Sequence, residues 1–200
     1  MENSKSYHEK MNASTGAAGE DASCALALVN TRHLRSGQPA DLLADPARAA
    51  GWLAGRGLVP RGTRLSDPET ARLVALREAV RGLFAARAGQ RTPAAGDVAT
   101  LNAALAAAPV VPSLTWDEAG PHQSEQAPAA AGPFAAATAL LARDALRVLT
   151  DPAGPEPAPC GAHGCVRWFL RTHAARQWCS DRCGDRVRAA RHYARHRATA

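Results

Sequence analysis

The sequence predicts an α+β protein: a mainly helical N-terminal body with a few strands, followed by a small cysteine-rich domain that ends in a basic helix. Three observations support this fold class. Apolar residues recur at helical spacing within residues 46–150, four cysteines follow a proline-rich stretch, and nine arginines lie in residues 160–200. The 200 residues suffice for about one domain and a small appendage. This length argues against a solenoid array or a multidomain machine.

The beginning of the chain predicts no regular structure. Residues 1–21 are polar and lack hydrophobic periodicity, so we expect a disordered leader there. They also lack the apolar segment that secretion requires, and no later stretch is long and apolar enough for a membrane span. We therefore expect a cytoplasmic protein without membrane association. The short apolar run at residues 23–30 predicts a buried strand, in which Cys24 is interpreted as a small buried hydrophobe.

Two helices are predicted in the first half of the body. One begins at Pro46, with Asp45 as its N-cap, and ends near residue 54. The other begins at Ser66 or Asp67, where Ser66 and Glu69 can form a capping box. Its core-facing stripe has helical spacing and consists of Leu73, Leu76, Val80, Leu83 and Phe84.

The second half of the body predicts two more helices and one or two strands. The helices are expected at about residues 94–107 and 133–150, each beginning or ending next to a proline. Residues 110–116 alternate loosely and lead into a turn, so they predict a strand or a hairpin. Residues 121–132 are interpreted as a loop.

The cysteine-rich domain is expected at residues 160–200, after an irregular Pro-rich linker at residues 151–159. Its cysteines follow the pattern C-x4-C-x13-C-x3-C and are Cys160, Cys165, Cys179 and Cys183. Two close thiolate pairs separated by a loop can surround one ion tetrahedrally. We therefore predict one structural zinc ion on these four residues. The alternatives are a site in which His163 or His173 replaces one cysteine, two disulfides, and unligated thiols.

Three aromatic residues lie between the two cysteine pairs: Trp168, Phe169 and Trp178. A domain of about forty residues buries little core, so we expect these rings to pack over the metal site. The alternative is that they stack on an unpaired base of a nucleic acid.

Residues 182–197 predict a helix that is unusually rich in arginine. Its narrow apolar stripe, expected to dock on the metal site, consists of Cys183, Val187, Ala190 and Ala194. Two rows of arginine flank the stripe: Arg188, Arg191 and Arg195 on one side, and Arg182, Arg186 and Arg197 on the other. Residues 160–200 have a formal charge of +7 in a chain of +6, so nearly all the basicity lies here.

Arginine rows with few carboxylate partners suit phosphate oxygens, and a helix fits the major groove of DNA. We therefore predict that these six arginines bind nucleic acid, with DNA as the favoured partner. A solvated basic tail, or a tail that docks on an acidic protein surface, is the alternative.

The C-terminal motif resembles the CGNR zinc finger at Cys165, Arg176, residues 178–180 and residues 183–186, followed by the basic helix. The body resembles its usual N-terminal companion, the ABATE domain, at residues 26–31, 41–46 and 76–80. This resemblance implies an ABATE-like α+β domain at residues 22–150, a CGNR-type zinc finger at residues 160–200, and a bacterial regulator of transcription induced by stress. The chain departs from the finger motif at Asp185, where asparagine is usual, and at Arg171 and His173 in the long loop.

Other function classes are weakly supported. The chain lacks the common phosphate-binding, metalloprotease and serine-hydrolase patterns, so we expect no enzymatic activity. A small-molecule effector in the N-terminal domain would suit a regulator, and His33 and Arg35 are candidate pocket residues or else solvated loop residues. An RNA-binding module, a protein-interaction module and a ligand sensor remain the alternatives to DNA binding.

Overall fold

The computed structural model describes residues 16–35, 37–126 and 131–198. In this part of the chain there are six helices: α1 (Cys24–Val29), α2 (Pro46–Gly55), α3 (Asp67–Ala88), α4 (Ala95–Ala107), α5 (Pro133–Thr150) and α6 (Asp181–Ala198). Three antiparallel ribbons are formed by β1 (Arg32–Arg35) with β2 (Gln38–Asp41), β3 (Val111–Asp117) with β4 (Gly120–Gln126), and β5 (Glu156–Pro159) with β6 (Trp168–Arg171). The predicted α+β class is confirmed.

The longest helix, α3, organises the body. It begins at the predicted capping box, in which the Ser66 backbone N–H donates to the Glu69 carboxylate at 2.8 Å. The predicted stripe from Leu73 to Phe84 is buried, and α3 packs against α1, α2, α4 and α5. No helix among the described residues has both the length and the apolarity needed to cross a membrane.

The prediction of a strand at residues 23–30 is wrong, because this segment forms the short helix α1. Ser23 is its N-cap, and its hydroxyl accepts the Leu26 backbone N–H at 3.1 Å. All residues from Ala25 to Val29 are buried, so the apolar run has no polar face. A continuous apolar run without periodicity does not distinguish a buried strand from a buried helix.

A carboxylate from α5 holds the start of α1. Asp144 accepts the Ser23 hydroxyl at 2.6 Å and the Ala25 backbone N–H at 2.9 Å. Burial opposes ionisation of Asp144, but these hydrogen bonds and that of Arg147 hold its pKa below the usual value. Burial and the neighbouring Asp144 raise the pKa of Cys24 to about 12, so this thiol stays protonated at neutral pH.

The prediction of a loop at residues 121–132 is wrong in its first part, where residues 120–126 form β4. This strand pairs with β3 along its whole length, from Asp117 opposite Gly120 to Val111 opposite Gln126. The described side chains of the ribbon are mostly exposed on both faces, and β4 has no apolar alternation from which a strand could be predicted. Residues 127–130 lie outside the described residues.

The prediction of an irregular linker at residues 151–159 is also wrong in part, since residues 156–159 form β5. Directly after β5, the Cys160 backbone N–H donates to the carbonyl of Arg167, the residue before β6, at 2.9 Å. Because N–H directions alternate along a strand, the even-numbered residues of β5 direct their N–H groups toward β6. Pro157 and Pro159 occupy the alternate positions, where the missing N–H would point away from β6. Proline is tolerated in an edge strand of this kind.

Strand β6 is shared by two hydrophobic cores, because its side chains alternate between opposite faces. Trp168 and Leu170 belong to the core of the body, where the Trp168 ring lies 6.1 Å from that of Phe84. Phe169 belongs to a second, smaller core that also contains three of the C-terminal cysteines. Trp168, Phe169 and Leu170 are all buried. The C-terminal domain and the body therefore pack on opposite faces of the same strand.

The predicted disordered leader does not extend over residues 16–21, whose turns pack against the C-terminal domain. The Ala18 backbone N–H donates to the Cys179 carbonyl at 2.8 Å, and the Ala18 carbonyl accepts the Leu170 N–H at 2.9 Å. Glu20 accepts the Asn30 side-chain amide at 3.2 Å. This segment thus links the cysteine loop, β6 and the body. Residues 1–15 of the expected leader lie outside the described residues.

Replacement of Gly19 by alanine is expected to destabilise the protein. Gly19 has a φ of +85°, and a Cβ atom there would lie 2.7 Å from Cβ of Leu170. Backbone strain and overpacking should together reduce the free energy of unfolding by roughly 2–4 kcal/mol. Chemical denaturation of Gly19→Ala and Gly51→Ala would measure this, since nothing obstructs a Cβ at Gly51. Equal stability of the two variants would contradict the packing of this segment.

Candidate metal centre and basic helix

The four predicted cysteines converge at one point. Their sulfur atoms all lie within 4.8 Å of one another, and the cluster contains Cys160, Cys165, Cys179 and Cys183. The Cys165–Cys179 and Cys179–Cys183 sulfur separations are 3.8 Å and 3.7 Å. A zinc–sulfur bond of ~2.3 Å in a tetrahedron requires sulfur atoms about 3.8 Å apart. The cluster therefore has the dimensions of a tetrahedral ZnS₄ site and is able to hold one zinc ion.

The first cysteine pair lies on the tight loop that joins β5 to β6. Cys165 donates its backbone N–H to Ala162 at 2.9 Å, and Gly164 adopts a φ of +69° in the same turn. Gly161 donates to the Gln177 carbonyl at 3.0 Å, which brings the long loop of the second pair against the first. Local turn geometry thus directs both pairs of thiols to the same side.

The second pair spans the start of α6. Ser180 precedes the helix, and its hydroxyl accepts the Cys183 backbone N–H at 3.4 Å. Cys183 therefore lies in the first helical turn, where the helix dipole favours a thiolate. Cys179 donates its own backbone N–H to the Cys160 sulfur at 3.3 Å. Such N–H donors are common partners of metal-bound sulfur and reduce its charge.

Hydrogen bonds among three thiols of the cluster shift their pKa values in opposite directions. Those from the Cys165 and Cys179 side chains lower the pKa of Cys160, and the same hydrogen bonds with Cys160 raise the pKa values of Cys165 and Cys179. No disulfide is present among the described cysteines. His163 and His173 are exposed and lie outside the cluster of ligand atoms. Four cysteine thiolates without a free ligand position suit a structural ion rather than a catalytic one.

The expected aromatic core over the metal site is partly wrong. Phe169 is fully buried in the small core beside the cysteines, and Trp178 packs against the same core. Trp168 instead lies in the body, on the opposite face of β6. Strand alternation is the physical reason, because neighbouring residues of a strand cannot face the same side.

Helix α6 forms as predicted, but its expected docking stripe is wrong in the last turns. Cys183 is buried and Val187 is half-buried, whereas Ala190 and Ala194 are exposed. The small finger offers no surface beyond the second turn of the helix. All side chains from Arg188 to Arg197 are consequently exposed.

The arginines of α6 are in different environments. Arg186 donates to the His163 carbonyl at 3.2 Å and approaches the Cys183 sulfur at 3.8 Å. Arg188 forms an ion pair with Asp185 at 2.6 Å and lies 5.8 Å from the Trp178 ring centre. The acid that departs from the family motif is therefore paired with an arginine of the same helix. The other members of the two predicted rows, Arg182, Arg191, Arg195 and Arg197, are exposed.

Sequence reasoning missed the residue that joins the body to the finger, Asn30. Its side-chain oxygen accepts the Trp168 backbone N–H at 2.8 Å, and its amide donates to the Trp168 carbonyl at 3.0 Å. Asn30 is buried, and its amide forms the hydrogen bonds that a neighbouring strand would otherwise form with the backbone of Trp168 at the edge of β6. The polar Asn-Thr pair that ends an apolar run was the available signal for such a role.

No described contact joins His33 and Arg35, the two candidate pocket residues. His33 is half-buried on β1, with its ring Nδ1 3.3 Å from the Thr31 carbonyl. The side chain of Arg35 lies outside the described residues.

Comparison with known protein families agrees with the motif analysis. A family model named ABATE, with the description "Putative stress-induced transcription regulator", matches residues 22–152. A second model, the CGNR zinc finger, matches residues 158–196. A comparison with curated proteins gave no match. The first model covers more than half of the chain, so the chain belongs to the ABATE family and carries a CGNR zinc finger beside its ABATE domain.

Proposed function

We propose that this chain is a zinc-dependent DNA-binding protein that regulates transcription in bacteria and contacts DNA through α6. The observation that carries the proposal is the exposed part of this helix beyond the Asp185–Arg188 ion pair, residues 189–197, which includes the three arginines Arg191, Arg195 and Arg197. Guanidinium groups on an exposed helix can reach the phosphates on both sides of a major groove. The description of the matched family supports the regulatory role. The proposal includes no catalytic activity.

Salt dependence tests the electrostatic part of this proposal. If arginines neutralise phosphates, the logarithm of the affinity for duplex DNA should fall linearly with that of the salt concentration. Each phosphate contact contributes about −0.9 to the slope. The RNA-binding alternative can be distinguished from DNA binding at the same time. Zinc-loaded protein would be tested at matched salt for binding to a mixed-sequence duplex DNA, a structured RNA and a single strand.

Charge reversal at the end of α6 is expected to abolish binding to DNA. In the variant Arg191→Glu, Arg195→Glu and Arg197→Glu, three exposed cations become anions outside the metal site. Affinity should fall at least ~100-fold, because three phosphate contacts become repulsions. Zinc content should be unchanged, and electrophoretic mobility shift or fluorescence anisotropy measures the affinity.

A matched control reverses three exposed arginines of the body, Arg61, Arg64 and Arg91. It changes the net charge of the chain by the same amount. Equal losses in the two variants would indicate a non-specific charge effect. Unchanged binding by the α6 variant, or no binding by the wild-type protein at low salt, would contradict DNA recognition by α6 and favour the protein-interaction alternative.

A small-molecule effector remains part of the proposal for the ABATE domain. An apolar cavity of about 260 Å³ lies between α3, α4 and α5. Phe134 forms part of its wall, and Arg72 lies over the Phe134 ring at 5.3 Å. The lining suits an apolar molecule, and the volume, just below the ~300–1,000 Å³ that is usual for ligand sites, suits only a small one. His33 does not border this cavity.

A further inference from the structure

A groove of about 720 Å³ separates the β1–β2 ribbon of the body from the zinc finger. Basic side chains reach it from both sides: His33, His163, Arg167, Arg182 and Arg186. No acidic residue is among the described residues that line it. The volume lies within the range of ~300–1,000 Å³ that is usual for ligand clefts.

Hydrogen bonds hold both walls of this groove in place. On the finger side, the contacts of Arg186 with the His163 carbonyl and the Cys183 sulfur fix its guanidinium. On the body side, the buried Arg77 donates to Asp41 at 2.6 Å, where β2 ends. It also donates to Thr31 at 3.1 Å, immediately before β1. Groups that are already positioned lose less entropy when a ligand binds.

The charge of the groove suits an anion. One zinc ion and four thiolates have a formal charge of −2, which three arginines exceed by one even when both imidazoles are neutral. The opposite side of α6 differs, since Arg188 is paired with Asp185 and lies against Trp178. The two arginine rows are therefore not equivalent at the start of the helix.

We propose that this groove binds phosphate groups of a nucleic-acid backbone, so that the body and the finger hold the same ligand. The inference rests on the proposed function and makes it more specific. The ABATE domain contributes to nucleic-acid binding through the β1–β2 ribbon. At the start of α6, Arg182 and Arg186 contact phosphate, whereas Arg188 does not.

Single carboxylates placed in the groove test this inference. Leu34 is 37% exposed on the body wall, and Val166 is 38% exposed on the finger wall. We expect Leu34→Asp and Val166→Asp each to lower affinity for a mixed-sequence duplex DNA by about tenfold, since a carboxylate repels phosphate. The matched control is Leu140→Asp on α5, which is 41% exposed outside the groove and should bind within twofold of wild type.

A second comparison uses one arginine that lines the groove, Arg182, and one that lies outside it, Arg188. Arg182→Gln should lower the slope of log affinity against log salt by about 0.9, whereas Arg188→Gln should leave it unchanged. Zinc content and melting temperature would identify a variant that fails to fold. Positions 34 and 166 lie on opposite walls, so either variant alone is sufficient for the test. If neither Leu34→Asp nor Val166→Asp folds, the comparison of Arg182→Gln with Arg188→Gln decides the result.

The outcomes separate this inference from the proposed function. If wild-type protein binds DNA and the α6 charge reversal abolishes binding, while Leu34→Asp and Val166→Asp bind normally, the groove proposal is wrong and the proposed function stands. Equal salt slopes for Arg182→Gln and Arg188→Gln would also overturn it. If the wild-type protein binds no nucleic acid at low salt, both proposals are wrong.

Discussion

Deletion of residues 152–200 is expected to leave a body that no longer unfolds cooperatively. The deletion removes Trp168 and Leu170 from the main core and exposes the face of Phe84 that Trp168 covers. Loss of a large buried aromatic side chain alone costs ~3–5 kcal/mol, and a buried polar group that loses hydrogen-bond partners, here Asn30 with the two bonds to Trp168, costs ~1–3 kcal/mol. Together these costs approach the ~5–15 kcal/mol by which a native domain is stable.

Calorimetry or circular dichroism during heating would measure this effect. The matched control is deletion of residues 190–200. The described side chains in this segment, those of residues 190–197, are exposed, so the deletion should leave the melting temperature unchanged. The substitution Trp168→Phe should retain more stability than Trp168→Ala, because it keeps a ring beside Phe84. A sharp transition in the 1–151 fragment at the temperature of the full chain would show that the body folds without β6.

Loss of the metal is expected to destabilise the body as well as the finger. Structural zinc sites contribute on the order of 10 kcal/mol to the folding of small domains. Phe169 packs beside the cysteines, while its neighbours Trp168 and Leu170 lie in the body core. Unfolding of the finger should therefore displace β6 and disturb the packing of the body core as well. We therefore expect the double variant Cys179→Ser, Cys183→Ser to lose its zinc and to melt more than 10 °C below wild type, given ~2–4 °C per kcal/mol for a chain of 150–250 residues.

Metal analysis and calorimetry on the same samples would check this prediction. Cys24→Ser is the control, since Cys24 lies at the start of α1 beside Asp144 and outside the cysteine cluster. It should retain one zinc ion per chain. The metal site would be refuted if wild-type protein purified without chelator contained no zinc, or if the double variant retained its full zinc content. An unchanged transition of the body after zinc loss would refute the coupling through β6.

Much of the fold was predictable because local signals determine it. The capping box of Ser66 and Glu69 and the N-cap Asp45 act within one helical turn, so the starts of α2 and α3 follow from sequence. The cysteine spacing was equally informative, because two thiol pairs on short loops need little long-range information to converge. Helix α6 followed from its alanines and arginines, although its extent of burial did not.

The sequence by itself therefore determined the helical body, the four metal ligands and the basic helix. Tertiary structure alone decided that residues 23–30 become a helix, that a proline-rich segment becomes β5, and that β6 joins two cores. These features depend on partners far away in the chain: Asp144 for α1, and Asn30 for Trp168. A fully buried apolar run has no periodicity, and an edge strand of alternate prolines has no strand propensity. Both acquire their conformation from the surfaces and hydrogen-bond partners that the folded chain provides.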